Sequence, residues 1–188
     1  NGSALEISHL LTKQHLLIGT DQGNVYLLDQ VTGKTIASYR DHKAPISCIT
    51  LDKNEENFVS CGLDGKIVFR DLEKKDPNWI IEPTDYEGDV EYLEFSYDSK
   101  KLLGSGGHSN VILIDSASGA SNTIFPREKG IVLKAKWLPE KNYFCMLNTN
   151  GILSFADAEA GAIYKIIRTN LPSTVDFDLS KNGKKTFG

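Results

Sequence analysis

Short alternations of apolar and polar residues recur along the chain at a nearly fixed period. Aligned on their closing aspartates, Asp29, Asp71, Asp115 and Asp157, four copies follow one another at spacings of 42, 44 and 42 residues. Four and two residues before each aspartate stand Val25 and Leu27, Ile67 and Phe69, Val111 and Leu113, and Leu153 and Phe155, all apolar. A period of two places each pair on one face of a strand. The pattern predicts strands near 24–29, 66–71, 110–115 and 152–157, each with that face buried. Six residues before the aspartates come Gly23, Gly65, Ser109 and Gly151, and four after them Gly33, Lys75, Gly119 and Gly161. Glycine at such places supplies the positive φ that tight turns need.

The rest of each unit repeats as well. Ile46, Ile49 and Leu51 correspond to Val90, Leu93 and Phe95, and then to Val132, Ala135 and Trp137. Each set leads into a polar turn (DKNEEN, SYDSKK, LPEKN) and then a second apolar run (FVSC, LLGS, YFCM). After each aspartate a further run follows: KTIASY, WIIEP, SNTIF and AIYKII. Each unit therefore predicts four short antiparallel strands, and the chain an all-β fold. No stretch of helical length carries a 3.6-residue apolar period. A period near forty in a strand-rich chain marks a propeller or solenoid.

A four-stranded unit of this length resembles a blade of the WD-repeat family of β-propellers. The segment DHKAPISCITLDKNEENFVSCGLDGKIVFRD matches the family pattern best. His42 stands at the family's His, Ser60 at its strand Ser and Asp64 at its turn Asp. The resemblance implies that these belong to a structural hydrogen-bonded tetrad, whose fourth place, Trp in the family, is held here by Arg70. The other copies are degenerate: Leu28, Ile114 and Ala156 occupy the Trp position, and Gln22, His108 and Asn150 the turn Asp position. What all copies keep is the apolar lattice by which repeats pack on their neighbours. The resemblance divides the chain into blades at about 4–41, 42–85, 86–127 and 128–171, with a partial fifth at 172–188. Four and a half blades are expected to be part of a larger, seven-bladed ring; the alternative is that the partial fifth unit closes a small ring or pairs with another chain. An incomplete ring would leave a blade edge open to pairing with another chain.

Composition narrows the function. The chain is 40% hydrophobic and 24% charged, with 21 basic against 25 acidic residues and a net charge of −4. That balance describes a globular protein with no electrostatic footprint for nucleic acid or an anionic membrane. No apolar run approaches the roughly 18 residues of a membrane span, and no signal peptide opens the sequence. An intracellular, cytoplasmic home is expected. Cys48, Cys61 and Cys145 form neither a CxxC pair nor an even set, and are expected to be buried reduced thiols. His9, His15, His42 and His108 show no metal-ligand spacing, and neither LLGSGGHS nor GLDGK has the spacing of a nucleophile elbow or a P-loop. No catalytic residue, metal or cofactor is expected.

Asp85, Glu87, Asp89, Glu91 and Glu94 read as a solvated acidic rim. Two function classes compete. The resemblance implies a non-catalytic scaffold that mediates protein–protein interactions within a larger assembly. The alternative is a quinoprotein-like propeller enzyme or cofactor-binding domain, which GNVYLLDQVTGK resembles. The tryptophan such repeats carry after Thr-Gly-Lys is missing from Ile36–Tyr39. In the blade pattern, the turn between second and third strands and the link into each new blade share one face. The alignment places Asp21, Arg40, Lys43, Leu63, Tyr86, Glu87, His108, Arg127 and Lys129 on it. That face is expected to take a protein or peptide partner.

Overall fold

The computed structural model describes residues 3–83, 90–106, 110–124, 130–139 and 141–169. They form four antiparallel sheets, each a four-stranded meander in chain order. The first sheet holds β1 (Ala4–Leu10), β2 (His15–Thr20), β3 (Val25–Asp29) and β4 (Thr35–Tyr39). The second holds β5 (Ile46–Leu51), β6 (Asn57–Gly62), β7 (Ile67–Asp71) and β8 (Trp79–Ile81). The third holds β9 (Tyr92–Phe95), β10 (Lys101–Ser105), β11 (Val111–Asp115) and β12 (Ser121–Ile124). The fourth holds β13 (Val132–Trp137), β14 (Tyr143–Asn148), β15 (Ile152–Asp157) and β16 (Ala162–Arg168). The strands predicted to end on the four aspartates are β3, β7, β11 and β15. The expected partial fifth blade, 172–188, lies outside the described residues.

The closing aspartate recurs because it caps the turn that follows. Asp29 Oδ1 accepts the Thr32 amide at 2.6 Å, the Thr32 hydroxyl at 2.7 Å and the Val31 amide at 3.1 Å. Asp115 Oδ1 accepts the Ser118 amide at 2.9 Å and its hydroxyl at 2.7 Å. Asp157 Oδ1 takes the amides of Glu159 and Ala160 at 2.8 and 3.1 Å. A short carboxylate bonding backbone two or three residues on is the chemistry of an Asx turn. Gly23, at the turn into β3, has φ of 74°. A Cβ there would sit 2.7 Å from the carbonyl oxygens of both His42 and Ala44. Only glycine satisfies both the left-handed backbone and this close approach of the next link.

The chain divides into two compact units, Asn1–Leu93 and Glu94–Gly188. In the first, β5 packs across β1 and β2. Leu10, Leu17, Val25 and Leu27 of the first sheet meet Ile46, Ile49 and Phe58 of the second. In the second unit, β10 packs on β13. Leu103, Val111 and Leu113 meet Val132, Ala135, Trp137, Phe144 and Met146 there. The β5–β6 and β13–β14 pairs each carry one register irregularity near the strand start, between Ile46 and Cys48 and between Val132 and Lys134.

One burial expectation is corrected. Of the eight apolar positions before the aspartates, Val25, Leu27, Ile67, Phe69, Val111 and Leu113 are buried. Leu153 and Phe155 are only half-buried, while Ile152, Ser154 and Ala156 of the same strand are buried. The parity is the same as in the other sheets: Val25 and Leu27 pack toward the second sheet, and Val111 and Leu113 toward the fourth. β15 turns Ala156 toward the third sheet with Leu103 and Phe144, so Leu153 and Phe155 lie on its opposite face, where the described residues supply no further sheet to cover them. Phe155 there is covered by Tyr164, at a centroid distance of 6.4 Å, and by the Lys165 ammonium at 5.6 Å.

Candidate protein-binding face

The link from β4 to β5 and the turn from β6 to β7 meet at one end of the second sheet. Asp64 joins them. Its Oδ2 accepts the Lys43 amide at 2.7 Å, and its Oδ1 lies 3.0 Å from His42 Nδ1 and accepts the Lys66 amide at 3.2 Å. His42 Nε2 lies 2.9 Å from Ser60 Oγ. In the neutral tautomer protonated at Nδ1, that N–H donates a hydrogen bond to the Asp64 carboxylate and Nε2 accepts one from the serine hydroxyl. His42 and Ser60 are buried. Burial by itself raises the Asp64 pKa, but the bonds from His42, Lys43 and Lys66 outweigh it and hold the carboxyl below the ordinary carboxylate value. The turn also needs the glycine before it: a Cβ on Gly62 would come within 2.7 Å of His42 Nδ1.

Arg70, expected as the fourth member of this set, goes elsewhere. Its Nε and Nη2 bond both oxygens of Asp41, at 2.5 and 2.6 Å, and Nη1 donates to the Lys75 carbonyl at 2.8 Å. The guanidinium lies over the Tyr39 ring, 5.0 Å from its centroid. The reason is chemical. A Trp at this place offers a single N–H, whereas guanidinium presents a fork of donors that matches a carboxylate in two places. Asp41 lies immediately before His42, so the link is gripped at two consecutive residues, by Arg70 and by Asp64 with Ser60. Asp41 was not singled out from the sequence. Its signal there is a carboxylate next to the His of a repeat that carries Arg in place of Trp.

The remaining positions on this face divide three ways. Arg40 and Lys43 are exposed, and Leu63 is 68% exposed. Leu63 is nevertheless fixed in backbone: its amide donates to the Pro45 carbonyl at 2.8 Å, and the Gly65 amide closes the turn onto Gly62 at 3.0 Å. Asp21 is spent on its own sheet, its carboxylate and amide both bonding Ser3. Tyr86, Glu87, His108, Arg127 and Lys129 lie outside the described residues. The acidic run is corrected at one place. Glu94 is not a rim residue, because its carboxylate accepts the Trp137 amide and its carbonyl accepts Trp137 Nε1, each at 3.0 Å. Among the described residues, no group of three or more His, Cys, Asp or Glu is placed to hold a metal ion. No helix among them is long and apolar enough to cross a membrane.

Four-stranded antiparallel meanders repeated about every 42 residues, with a His–Ser–Asp set tying link to turn, define a WD40-type β-propeller. The chain belongs to the Vps41 β-propeller family, whose model, described as "Vps42 beta-propeller", matches residues 6–177. It is 24% identical over 135 residues to vacuolar protein sorting-associated protein 41 of Schizosaccharomyces pombe, covering 68% of this chain and 15% of that protein. It is 22% identical over 157 residues to ROOT INITIATION DEFECTIVE 3 of Arabidopsis thaliana, covering 80% of this chain and 34% of that one. The chain thus spans 15% and 34% of the length of these two relatives. Among solved structures it is similar to the Cps50 (Swd1) β-propeller domain of Myceliophteria thermophila, with a TM-score of 0.84 and 14% identity, over 97% of this chain and 60% of that chain. A chain of the mitotic checkpoint complex is similar over 90% of this chain and 56% of its own length, with a TM-score of 0.75 and 17% identity.

Proposed function

We propose that this chain is a non-catalytic scaffold that holds a protein or peptide partner within a larger, cytoplasmic assembly, on the face carrying Arg40, Lys43 and Leu63. The observation that carries the reading is Leu63, 68% exposed at the tip of a turn whose backbone is fixed. Asp64, the next residue, ties that turn to Lys43 at 2.7 Å. With the backbone already fixed, a partner that covers Leu63 has only side-chain freedom to restrict. Arg40 and Lys43 add two exposed cations on the adjoining link, and Arg is a frequent interface anchor. The face therefore suits a segment that offers an apolar side chain beside carboxylates. His42, Ser60 and Asp64 serve this face from beneath, by holding link and turn together. The names of the relatives support a protein partner: one belongs to vacuolar protein sorting, and one similar fold sits in a mitotic checkpoint complex.

The test begins with affinity capture of a partner by the complete native protein. Arg40→Glu and Leu63→Asp are then compared with Lys53→Glu and Lys100→Glu, which lie on the β5–β6 and β9–β10 turns. The reading expects both face variants to weaken binding at least tenfold and both controls to bind as the native protein does. Full affinity in the face variants, with loss in a control, would place the binding surface elsewhere.

A further inference from the structure

Cys48 on β5 and Cys61 on β6 stand directly opposite one another across the antiparallel pair, and both are buried thiols outside any disulfide. The ladder fixes the kind of pair they make. At its end the Asp52 amide donates to the Asn57 carbonyl at 3.0 Å. Opposed pairs alternate between hydrogen-bonded and non-hydrogen-bonded from there, so Cys48 and Cys61 fall on a hydrogen-bonded pair. Such pairs hold their Cα atoms about 5.5 Å apart, inside the range a disulfide favours. The Ser47 hydroxyl donates to Cys61 Sγ at 3.4 Å, and the Cys48 thiol opposite adds to the burial that raises the Cys61 thiol. Cys145 has no such neighbour, since it lies on β14 opposite Phe155.

We propose that Cys48 and Cys61 are a reversible modification site, joined into a cross-strand disulfide within the second sheet by a low-molecular-weight disulfide such as glutathione disulfide. Cys48, 7% exposed against 1% for Cys61, is the sulfur met first when the strands open locally. Its thiol loses a proton to solvent, and the thiolate attacks one sulfur of glutathione disulfide. One glutathione leaves as thiolate and takes up a proton. The Cys61 thiolate then attacks Cys48 Sγ and displaces the second glutathione. Two protein thiols and one glutathione disulfide become one protein disulfide and two glutathiones. The chain loses two electrons and two protons, and the glutathione gains them. Burial pushes the Cys61 thiol well up, so the second step is slow near neutrality.

The bond is reversible because the site strains it. Opposed Cβ atoms in hydrogen-bonded pairs lie about 5–5.5 Å apart, wider than the roughly 3.8 Å that a relaxed disulfide takes. Closing it draws the strands together, and strained disulfides are readily reduced. The change is also felt beyond the pair. Cys48 Sγ accepts the Leu93 amide at 3.3 Å and donates to the Leu93 carbonyl at 3.7 Å. In the disulfide the S–H is gone, so the Leu93 carbonyl loses its donor and that residue is held less firmly.

The experiment equilibrates the folded chain in glutathione buffers of increasing oxidised fraction at mildly alkaline pH. Samples are quenched in acid, unfolded and alkylated, and the peptides are mapped by mass spectrometry. Alkylatable thiols are expected to fall from three to one, with Cys145 the survivor and the Cys48 and Cys61 peptides joined. Returning the sample to a reduced buffer restores all three, and in the oxidised chain the Leu93 amide exchanges faster. In Cys61→Ser the reaction stops at a glutathione adduct on Cys48. Should that variant fail to fold, the thiol count and peptide map of the unaltered chain decide. Three thiols surviving the most oxidised buffer, a linkage through Cys145, or a Cys48–Cys61 bond that forms only after denaturation would overturn the proposal.

Discussion

Arg70 and Asp41 form a nearly dry ion pair, with side chains 6% and 13% exposed. Removing one member of such a pair leaves the other charge uncompensated, at a cost of about 3 kcal/mol or more. Arg70→Met is therefore expected to lower the unfolding free energy by about 3 kcal/mol, and Asp41→Asn in the same chain to recover part of the loss. A double-mutant cycle in urea measures this, and strictly additive losses would contradict it. Asp64 acts on the neighbouring residue of the same link. Asp64→Ala strands the His42 Nδ1–H and the Lys43 amide, and is expected to lower stability by about 1–3 kcal/mol. An unchanged denaturation midpoint would show that Asp64 is merely a solvated turn residue. Both statements concern how the face is held, so they stand whether or not a partner is known.

The turns after the closing aspartates set the chain's response to acid. The Thr32 hydroxyl and amide hold the Asp29 carboxyl below its ordinary range, the Glu73 amide and then Lys74 do so for Asp71, and Ser118 for Asp115. A folded pKa below the unfolded one means that the stability these groups contribute is complete above the unfolded value, about 3.9. It is lost as pH falls through the folded value. Unfolding free energy is thus expected to be flat with respect to these groups above about pH 5 and to decline below about pH 4. Thr32→Ala should move the NMR titration of Asp29 upward, and an unmoved titration would contradict the capping role. These turns were legible in the sequence because their chemistry is local: DQVTG and DSASG each place aspartate, a hydroxyl and glycine within five residues. The strands were legible for the same reason, through period-two alternation. The half-burial of Leu153 and Phe155 was not, because it depends on what packs against that face, and the two look identical in sequence to their buried counterparts.

At the scale of the whole molecule, the repeat carried His42, Ser60 and Asp64 into view through family spacing. The Asp41–Arg70 contact spans 29 residues and leaves no periodic trace. Nor does spacing distinguish Asp21, turned onto Ser3, from Arg40 and Lys43, which remain exposed. The scaffold reading also separates this chain from a quinone-binding propeller: pyrroloquinoline quinone with calcium is expected to leave the melting temperature unchanged, since only a bound ligand raises it. A clear upward shift would favour the cofactor reading. The central claim is that the link and turn joined by Asp64 form the partner-binding face. The most direct measurement is photo-crosslinking in the complete native protein, from a reactive side chain placed at position 63 and, separately, at position 53. The account predicts that position 63 captures the partner and position 53 does not; capture from position 53 alone would contradict it.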